Sequence, residues 1–130
     1  MAIRLTSGAL ATLLAEATRA APREACGLLL GRSEIAVAAP CANVHAEPLR
    51  HFEIDPAALI AAHRAARAGG AEVLGYYHSH PNGVGGPSDQ DRSFASGDGR
   101  VWAIIARDAV TWWRDGEGGF ERLSLRLVEG

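Results

Sequence analysis

The most restrictive feature of this sequence is the stretch AEVLGYYHSHPNGVGGPSDQD, residues 71–91. Its first ten residues combine apolar and aromatic side chains and predict a strand over residues 71–80. Residues 81–87 contain three glycines and two prolines, a composition that predicts a loop. Ser88, with an acidic residue three positions later, predicts the N-cap of a short helix. Such a loop can place the first turn of that helix over the end of the strand.

Two histidines stand near the end of this predicted strand. Residues two apart on a strand point to the same face, so His78 and His80 share a face and Ser79 points away. Two imidazoles in this arrangement can bind one cation, for which zinc is the first choice, although such a pair alone is weak evidence. Asp91, with Asp89 as its competitor, would add a third ligand. Three protein ligands and one open position are typical of a catalytic zinc site.

A zinc hydrolase also needs a base that is not a metal ligand. Glu24 stands just before the apolar run CGLLLG, residues 26–31, where a carboxylate would be unusual unless it opened onto a cleft. Spacing alone does not identify Glu24 as that base, because a surface position is the simpler explanation of this residue taken alone. Ser88 likewise has a purely structural explanation as a helix cap.

The remaining patterns predict a single α/β domain over residues 1–130, with one mixed, curved sheet flanked by helices. Thr6 or Ser7 can cap the first long helix, and Asp55 followed by Pro56 gives a strong start signal for the second. The strand at Leu123–Val128 could be an exposed edge, available to a substrate or to a second copy of the chain. Strands are predicted at residues 2–5, 26–31, 34–39, 51–54, 71–80, 101–106, 110–114 and 120–128, and helices at residues 7–20, from 56 to about 68, and from 88.

Composition narrows the class of protein further. Hydrophobic residues make up 48% of the 130 residues, enough for one core, and the net charge of −2 argues against a phosphate-driven nucleic-acid binder. No apolar run approaches the roughly 20 residues of a membrane span, and the first residues do not match a signal peptide. Two cysteines, Cys26 and Cys41, favour reduced thiols in a cytoplasm. All 13 basic residues are arginine, a bias typical of a GC-rich bacterial genome.

Two segments together resemble a known family. PREACGLLLG (residues 22–31) followed by HSHPNGVGGPSDQD (residues 78–91) is similar to the JAMM, or MPN-plus, metallopeptidases. Their pattern is a glutamate before a CGLLLG-like strand, then His-X-His-Pro, with seven residues between the second histidine and a serine, and two more before an aspartate. Every element is present at that spacing, so the resemblance implies the JAMM/MPN fold, which is cytidine-deaminase-like.

The resemblance also implies a role for each matching residue. His78, His80 and Asp91 match the ligands of one zinc ion, Glu24 matches the general acid/base, and Ser88 matches the donor to the developing oxyanion. The family hydrolyses peptide or isopeptide bonds after the C-terminal Gly-Gly of ubiquitin-like proteins. For a short bacterial relative, the implied substrate and partner is a small β-grasp sulfur carrier protein with a Gly-Gly tail.

Two other functions compete with this interpretation. A cytidine deaminase would need His-X-Glu and Pro-Cys-X-X-Cys, and no second cysteine follows Pro40-Cys41 at that spacing. A non-catalytic zinc module that binds ubiquitin-like tails is not excluded by the sequence. Loss of turnover with retained metal on changing Glu24 would separate that module from an enzyme.

Overall fold

The structure is a computed structural model, and it describes residues 2–130. The helix caps predicted from the sequence are confirmed, since Thr6, Asp55 and Ser88 each accept a hydrogen bond from a backbone N–H of the following first turn. The elements in chain order are β1 (Ala2–Thr6), α1 (Ser7–Ala20), β2 (Cys26–Gly31), β3 (Ile35–Cys41), α2 (Pro56–Arg67), β4 (Glu72–Ser79), α3 (Asp89–Phe94), β5 (Val101–Ala106), β6 (Ala109–Gly116) and β7 (Gly119–Val128).

The strands form a mixed sheet that closes into a barrel in the order β1-β3-β2-β4-β5-β6-β7. Strand β4 runs antiparallel to β2 and parallel to β5. Closure comes from β7, which pairs in parallel with β1 from Ser124 to Val128. The predicted edge at Leu123–Val128 is covered on one side, where β1 pairs with Ser124–Val128. Pairing with β6 runs from Gly119 to Leu123, so the availability of the other side to a partner stays a prediction. Parallel partners at opposite ends of a chain leave no local sequence signal.

The core occupies one side of β4 and leaves the histidines on the other. Tyr77 is fully buried in the same hydrophobic cluster as Leu13 of α1 and Leu29 of β2. Because side chains alternate along a strand, this places His78 and His80 together on the opposite face. The hydrophobic core thus determines which face of β4 carries the site.

The strand predicted at residues 51–54 is not formed. Only Ile54 pairs, in an isolated bridge with Asn43. The Asn43 side chain accepts from the N–H groups of His45 and Glu53 and donates to the carbonyl of His51. The Asn43 side chain thus forms hydrogen bonds with backbone groups that a strand would use to pair with its neighbour.

Candidate metal centre

His78 and His80 bring their Nε2 atoms within 3.1 Å of each other at the end of β4. Both residues are buried, with exposed fractions of 0% and 5%. The Nδ1–H of His80 donates to the Val84 carbonyl at 2.8 Å, because a carbonyl oxygen can only accept. In the neutral ring this leaves the lone pair on Nε2, the nitrogen that faces His78.

Asp91 completes this group from the first turn of α3. Its carboxylate oxygens lie 3.1 Å from Nε2 of His78 and 3.2 Å from Nε2 of His80. A reciprocal capping pair holds the carboxylate in place: the Ser88 N–H donates to Asp91 Oδ2, and the Asp91 N–H donates to Ser88 Oγ. Asp89, the competing carboxylate, lies on the same helix but is exposed.

The spacing of these donors suits a single zinc ion. Bond lengths of about 2.0–2.1 Å in a tetrahedral site put neighbouring ligand atoms about 3.3 Å apart. The separations of 3.1–3.2 Å among His78, His80 and Asp91 are close to this value. Two imidazole nitrogens and a carboxylate are also a donor set that zinc prefers. The residues therefore fit the metal that the sequence predicts.

Glu24 approaches the same group from the segment just before β2. One ligand atom from each of Glu24, His78 and His80 lies within 4.8 Å of the others, which makes Glu24 an alternative third ligand. Asp91 is the better third ligand by distance, since its oxygens lie at 3.1–3.2 Å. The residue after Glu24 is held against Ser79, which lies between the two histidines. The Ala25 N–H donates to Ser79 Oγ at 2.8 Å, and the Ser79 N–H donates to the Ala25 carbonyl at 3.0 Å.

Burial changes the proton affinities of these groups. Desolvation raises the pKa of the Glu24 carboxyl to about 7. Burial also opposes ionisation of Asp91, but hydrogen bonds with His78 and His80 hold the pKa of its carboxyl below its usual range. Burial lowers the pKa of His78. Burial opposes the charge on His80 as well, yet its bonds to Asp91 and the Val84 carbonyl raise its pKa overall. One carboxyl is thus tuned to exchange protons near neutrality while the other stays ionised.

Cys26 does not join the metal donors. Its thiol lies against the carbonyls of Cys41 and Ala42, and burial raises its pKa to about 12. A thiol that stays protonated at neutral pH is a poor metal ligand. The sequence interpretation of Cys26 as a small core residue is confirmed by its burial.

Two residues at the site were not predicted from the sequence. Asn43 donates to the backbone carbonyl of Glu24 at 3.0 Å, and Phe52 stacks on the ring of His78 with centroids 4.2 Å apart. Both lie in or beside a stretch whose composition indicates only an irregular connection, and neither belongs to a spacing pattern. No sequence signal of the kind used above could have found them.

Comparisons with known proteins give a consistent result. A family model described as prokaryotic homologs of the JAB domain matches residues 6–115. The desampylase of Haloferax volcanii is 39% identical over 90 residues, which cover 67% of this chain and 65% of that protein. A probable TtuB-protein conjugate cleaving protease of Thermus thermophilus is 42% identical over 84 residues, covering 65% and 57%. The chain thus aligns with less than two thirds of either relative.

Solved structures agree with the predicted fold. A protein from Desulfitobacterium hafniense has a TM-score of 0.85 and 30% identity, with 98% of this chain and 94% of that chain covered. A JAB1/MPN domain protein from Archaeoglobus fulgidus has a TM-score of 0.66 at 21% identity, with 98% of both chains covered. The JAMM/MPN fold prediction is confirmed. The family model matches most of this chain, from residue 6 to residue 115. The chain therefore belongs to the prokaryotic homologues of the JAB domain.

Proposed function

We propose that this chain is a zinc-dependent peptidase or isopeptidase that cuts after the C-terminal Gly-Gly of a ubiquitin-like or sulfur carrier protein. The observation that carries the proposal is the convergence of His78, His80 and Asp91 within 3.1–3.2 Å, with Glu24 at the margin of the group. The relatives support the substrate class, since one is a desampylase and another is described as cleaving TtuB-protein conjugates.

The proposed roles follow the geometry. His78, His80 and Asp91 would hold the metal, which would polarise the scissile carbonyl and lower the pKa of water at the site. Glu24 would take a proton from the attacking water and pass it to the leaving amine, a task for which a pKa near 7 is well matched. Ser88 uses its oxygen as an acceptor for the Asp91 N–H, so its own O–H remains able to donate to the developing oxyanion.

The proposal also covers the cellular location and the oligomeric state of the enzyme. We expect it to act as one domain in the cytoplasm, where Cys26 and Cys41 would stay as the free thiols that they are in this structure. Among residues 2–130, no helix is long and apolar enough to cross a membrane. A homodimer stays a prediction, and it would need a surface other than the paired edge of β7.

The decisive experiment uses Gly-Gly carrier proteins of the source organism, each extended by a few residues. Zinc-loaded protein is incubated with each carrier, and intact mass is followed. We expect a mass drop to the Gly-Gly end with the wild type and none with Glu24→Gln or after chelation, while Glu24→Gln still holds one zinc. Zinc-loaded wild type that binds the carriers but never cuts them would establish the non-catalytic tail-binding module instead.

A further inference from the structure

Thr111 of β6 lies in the same row across the sheet as His78. The strand register pairs His78 with Ile104 of β5, and Ile104 with Thr111. Directly paired residues of neighbouring strands point to the same face, so the Thr111 side chain lies on the face that carries the metal centre. With strands about 4.8 Å apart, Thr111 is about 10 Å from His78 across the sheet. It is thus too far away to be a ligand, but it can contact the loop of residues 81–88.

Two hydrogen bonds give the Thr111 hydroxyl one orientation. Trp113 Nε1 lies 2.9 Å from Thr111 Oγ1, and Thr111 Oγ1 lies 2.5 Å from the Gly85 carbonyl oxygen. An indole N–H can only donate and a carbonyl oxygen can only accept. The hydroxyl therefore accepts from Trp113 and donates to the loop at Gly85.

The loop needs such an anchor. Residues 81–87 include three glycines, and glycine loses more conformational freedom than any other residue when its backbone is fixed. Among residues 2–130, the other hydrogen bonds of residues 82–87 stay within residues 80–84. The turn between β5 and β6 adds a packing contact, since a Cβ on Gly83 would lie 2.5 Å from Arg107 Nε. The Thr111 hydroxyl therefore ties the glycine-rich part of the loop to the sheet.

The anchored carbonyl is next to the carbonyl that holds His80. The Val84 carbonyl accepts from the Nδ1–H of His80 at 2.8 Å, and the Gly85 carbonyl belongs to the following peptide unit. Because peptide units are planar, only the two backbone torsions of Gly85 separate these carbonyls. Partners of this kind orient a ligand ring and direct its other nitrogen at the metal. The bond to His80 is itself local, and Thr111 acts one step further out, on the segment that supplies it.

We propose that Thr111 is a positioning residue of the metal centre: it anchors the loop of residues 81–88 to β6, so that the Val84 carbonyl orients His80 toward the metal. The inference rests on the proposed function, because it takes His80 as a metal ligand from it. Thr111 acts without touching the reacting atoms. Its effects are therefore expected on zinc affinity and on the hydrogen bond of His80.

Zinc affinity tests the anchor. Thr111→Val keeps the size and branching of the side chain but loses the hydroxyl, so zinc affinity, measured by competition with a chromophoric chelator, should fall by about tenfold. Thr111→Ser restores the hydroxyl and should bind zinc within about twofold of the wild type. Thr12→Val is the matched control, because its lost hydrogen bond lies within α1. Wild-type affinity in Thr111→Val, or a serine variant as weak as the valine variant, would overturn the proposal.

Trp113→Phe tests the orientation of the hydroxyl. This variant removes the donor to Thr111 Oγ1 but leaves the bond from Thr111 to Gly85, so zinc affinity should fall by about threefold at most. A loss larger than that of Thr111→Val would mean that the packing of β6, and not the bond to the loop, supports the metal centre.

The Nδ1 proton of His80 separates positioning from general stabilisation. In zinc-loaded protein with ¹⁵N-labelled histidine, NMR follows the exchange of this proton with water. We expect exchange to be about tenfold faster in Thr111→Val, and unchanged in Thr111→Ser and Thr12→Val. Urea denaturation of the zinc-free proteins is measured alongside. A valine variant that is less stable but keeps slow exchange at His80 would leave Thr111 a purely structural role and overturn the proposal.

The proposed function is tested separately. Neither zinc affinity nor proton exchange needs a substrate, so both can support the role of Thr111 even if the zinc-loaded wild type cuts no carrier protein. That result would reject the proposed function alone. If carriers are cut while Thr111→Val binds zinc and protects the His80 proton as the wild type does, only the inference about Thr111 fails.

Discussion

Two connections reach the metal centre, and they hold their functional groups in different ways. Residues 81–88 link β4 to α3 and fix the metal donors through partners close in sequence, such as the Val84 carbonyl four residues from His80. Residues 42–55 link β3 to α2 and fix Glu24 through Asn43, nineteen residues away in sequence. One side of the site is thus determined locally and the other by tertiary contacts. The two connections should therefore fail in different ways when they are changed.

The largest effect is expected on the locally determined side. Asp91→Asn keeps the size of the side chain but removes the charge that faces His78 and His80, so zinc affinity should fall by at least about 100-fold, more than a residue that only orients a ligand would cost. Affinity is measured by competition with a chromophoric chelator. Asp89→Asn is the matched control, because this exposed carboxylate shares helix α3 and should leave zinc binding unchanged. If Asp91→Asn keeps its zinc and Glu24→Gln loses it, the third ligand is Glu24.

The same division explains what the sequence could predict. His78, His80, Ser88 and Asp91 are separated by short, fixed intervals, so strand alternation and a capping pattern were sufficient to place them together. Glu24 could be placed there only through the family resemblance, because its approach depends on the pairing of β2 with β4. Asn43 and Phe52 act through contacts that form only when the connection of residues 42–55 folds over β4.

Closure of the barrel was missed for a similar reason. The parallel pairing of β1 with β7 joins the two ends of the chain, and each strand alone shows only ordinary alternation. A pattern that indicates a half-exposed strand does not say whether its edge is covered. The order of the strands therefore had to come from the structure, whereas most of the strands themselves were predicted.

The second largest effect concerns the burial of Glu24, which the connection of residues 42–55 helps to hold in place. In the metal-free protein its pKa is raised from the ordinary value of 4.5 to about 7, so between these pH values the folded state holds a proton that the unfolded chain has lost. Stability should therefore fall as the pH rises through this window, by roughly 3 kcal/mol in all. Urea denaturation of chelator-treated wild type and Glu24→Gln, at pH 5, 6, 7 and 8, isolates this contribution as their difference.

Glu24→Gln lacks this ionisation, so the wild type should lose stability relative to the variant as the pH increases. A difference that does not change between pH 5 and 8 would mean that Glu24 is as well solvated in the folded protein as in the unfolded chain. The buried position on which the proposed acid/base role depends would then be rejected.

The smallest effect expected, and the most direct test of the comparison, comes from one asparagine in each connection. Asn43 and Asn82 both accept from a backbone N–H two residues further on, but only Asn43 also donates to the Glu24 carbonyl. Asn43→Ala should lower kcat by about tenfold through displacement of Glu24, with zinc affinity and KM unchanged. Asn82→Ala should leave kcat within about twofold, since the bond it loses is local and exposed.

The variant Asn43→Asp distinguishes a role in positioning Glu24 from a purely structural role of Asn43. The aspartate keeps an acceptor for the N–H groups of His45 and Glu53 but loses both donors, including the one to Glu24. If Asn43 positions Glu24, the aspartate variant should be more stable than the alanine variant and yet lose as much kcat. Should kcat instead follow stability through the two variants, Asn43 would only support the connection, and the position of Glu24 would not depend on it.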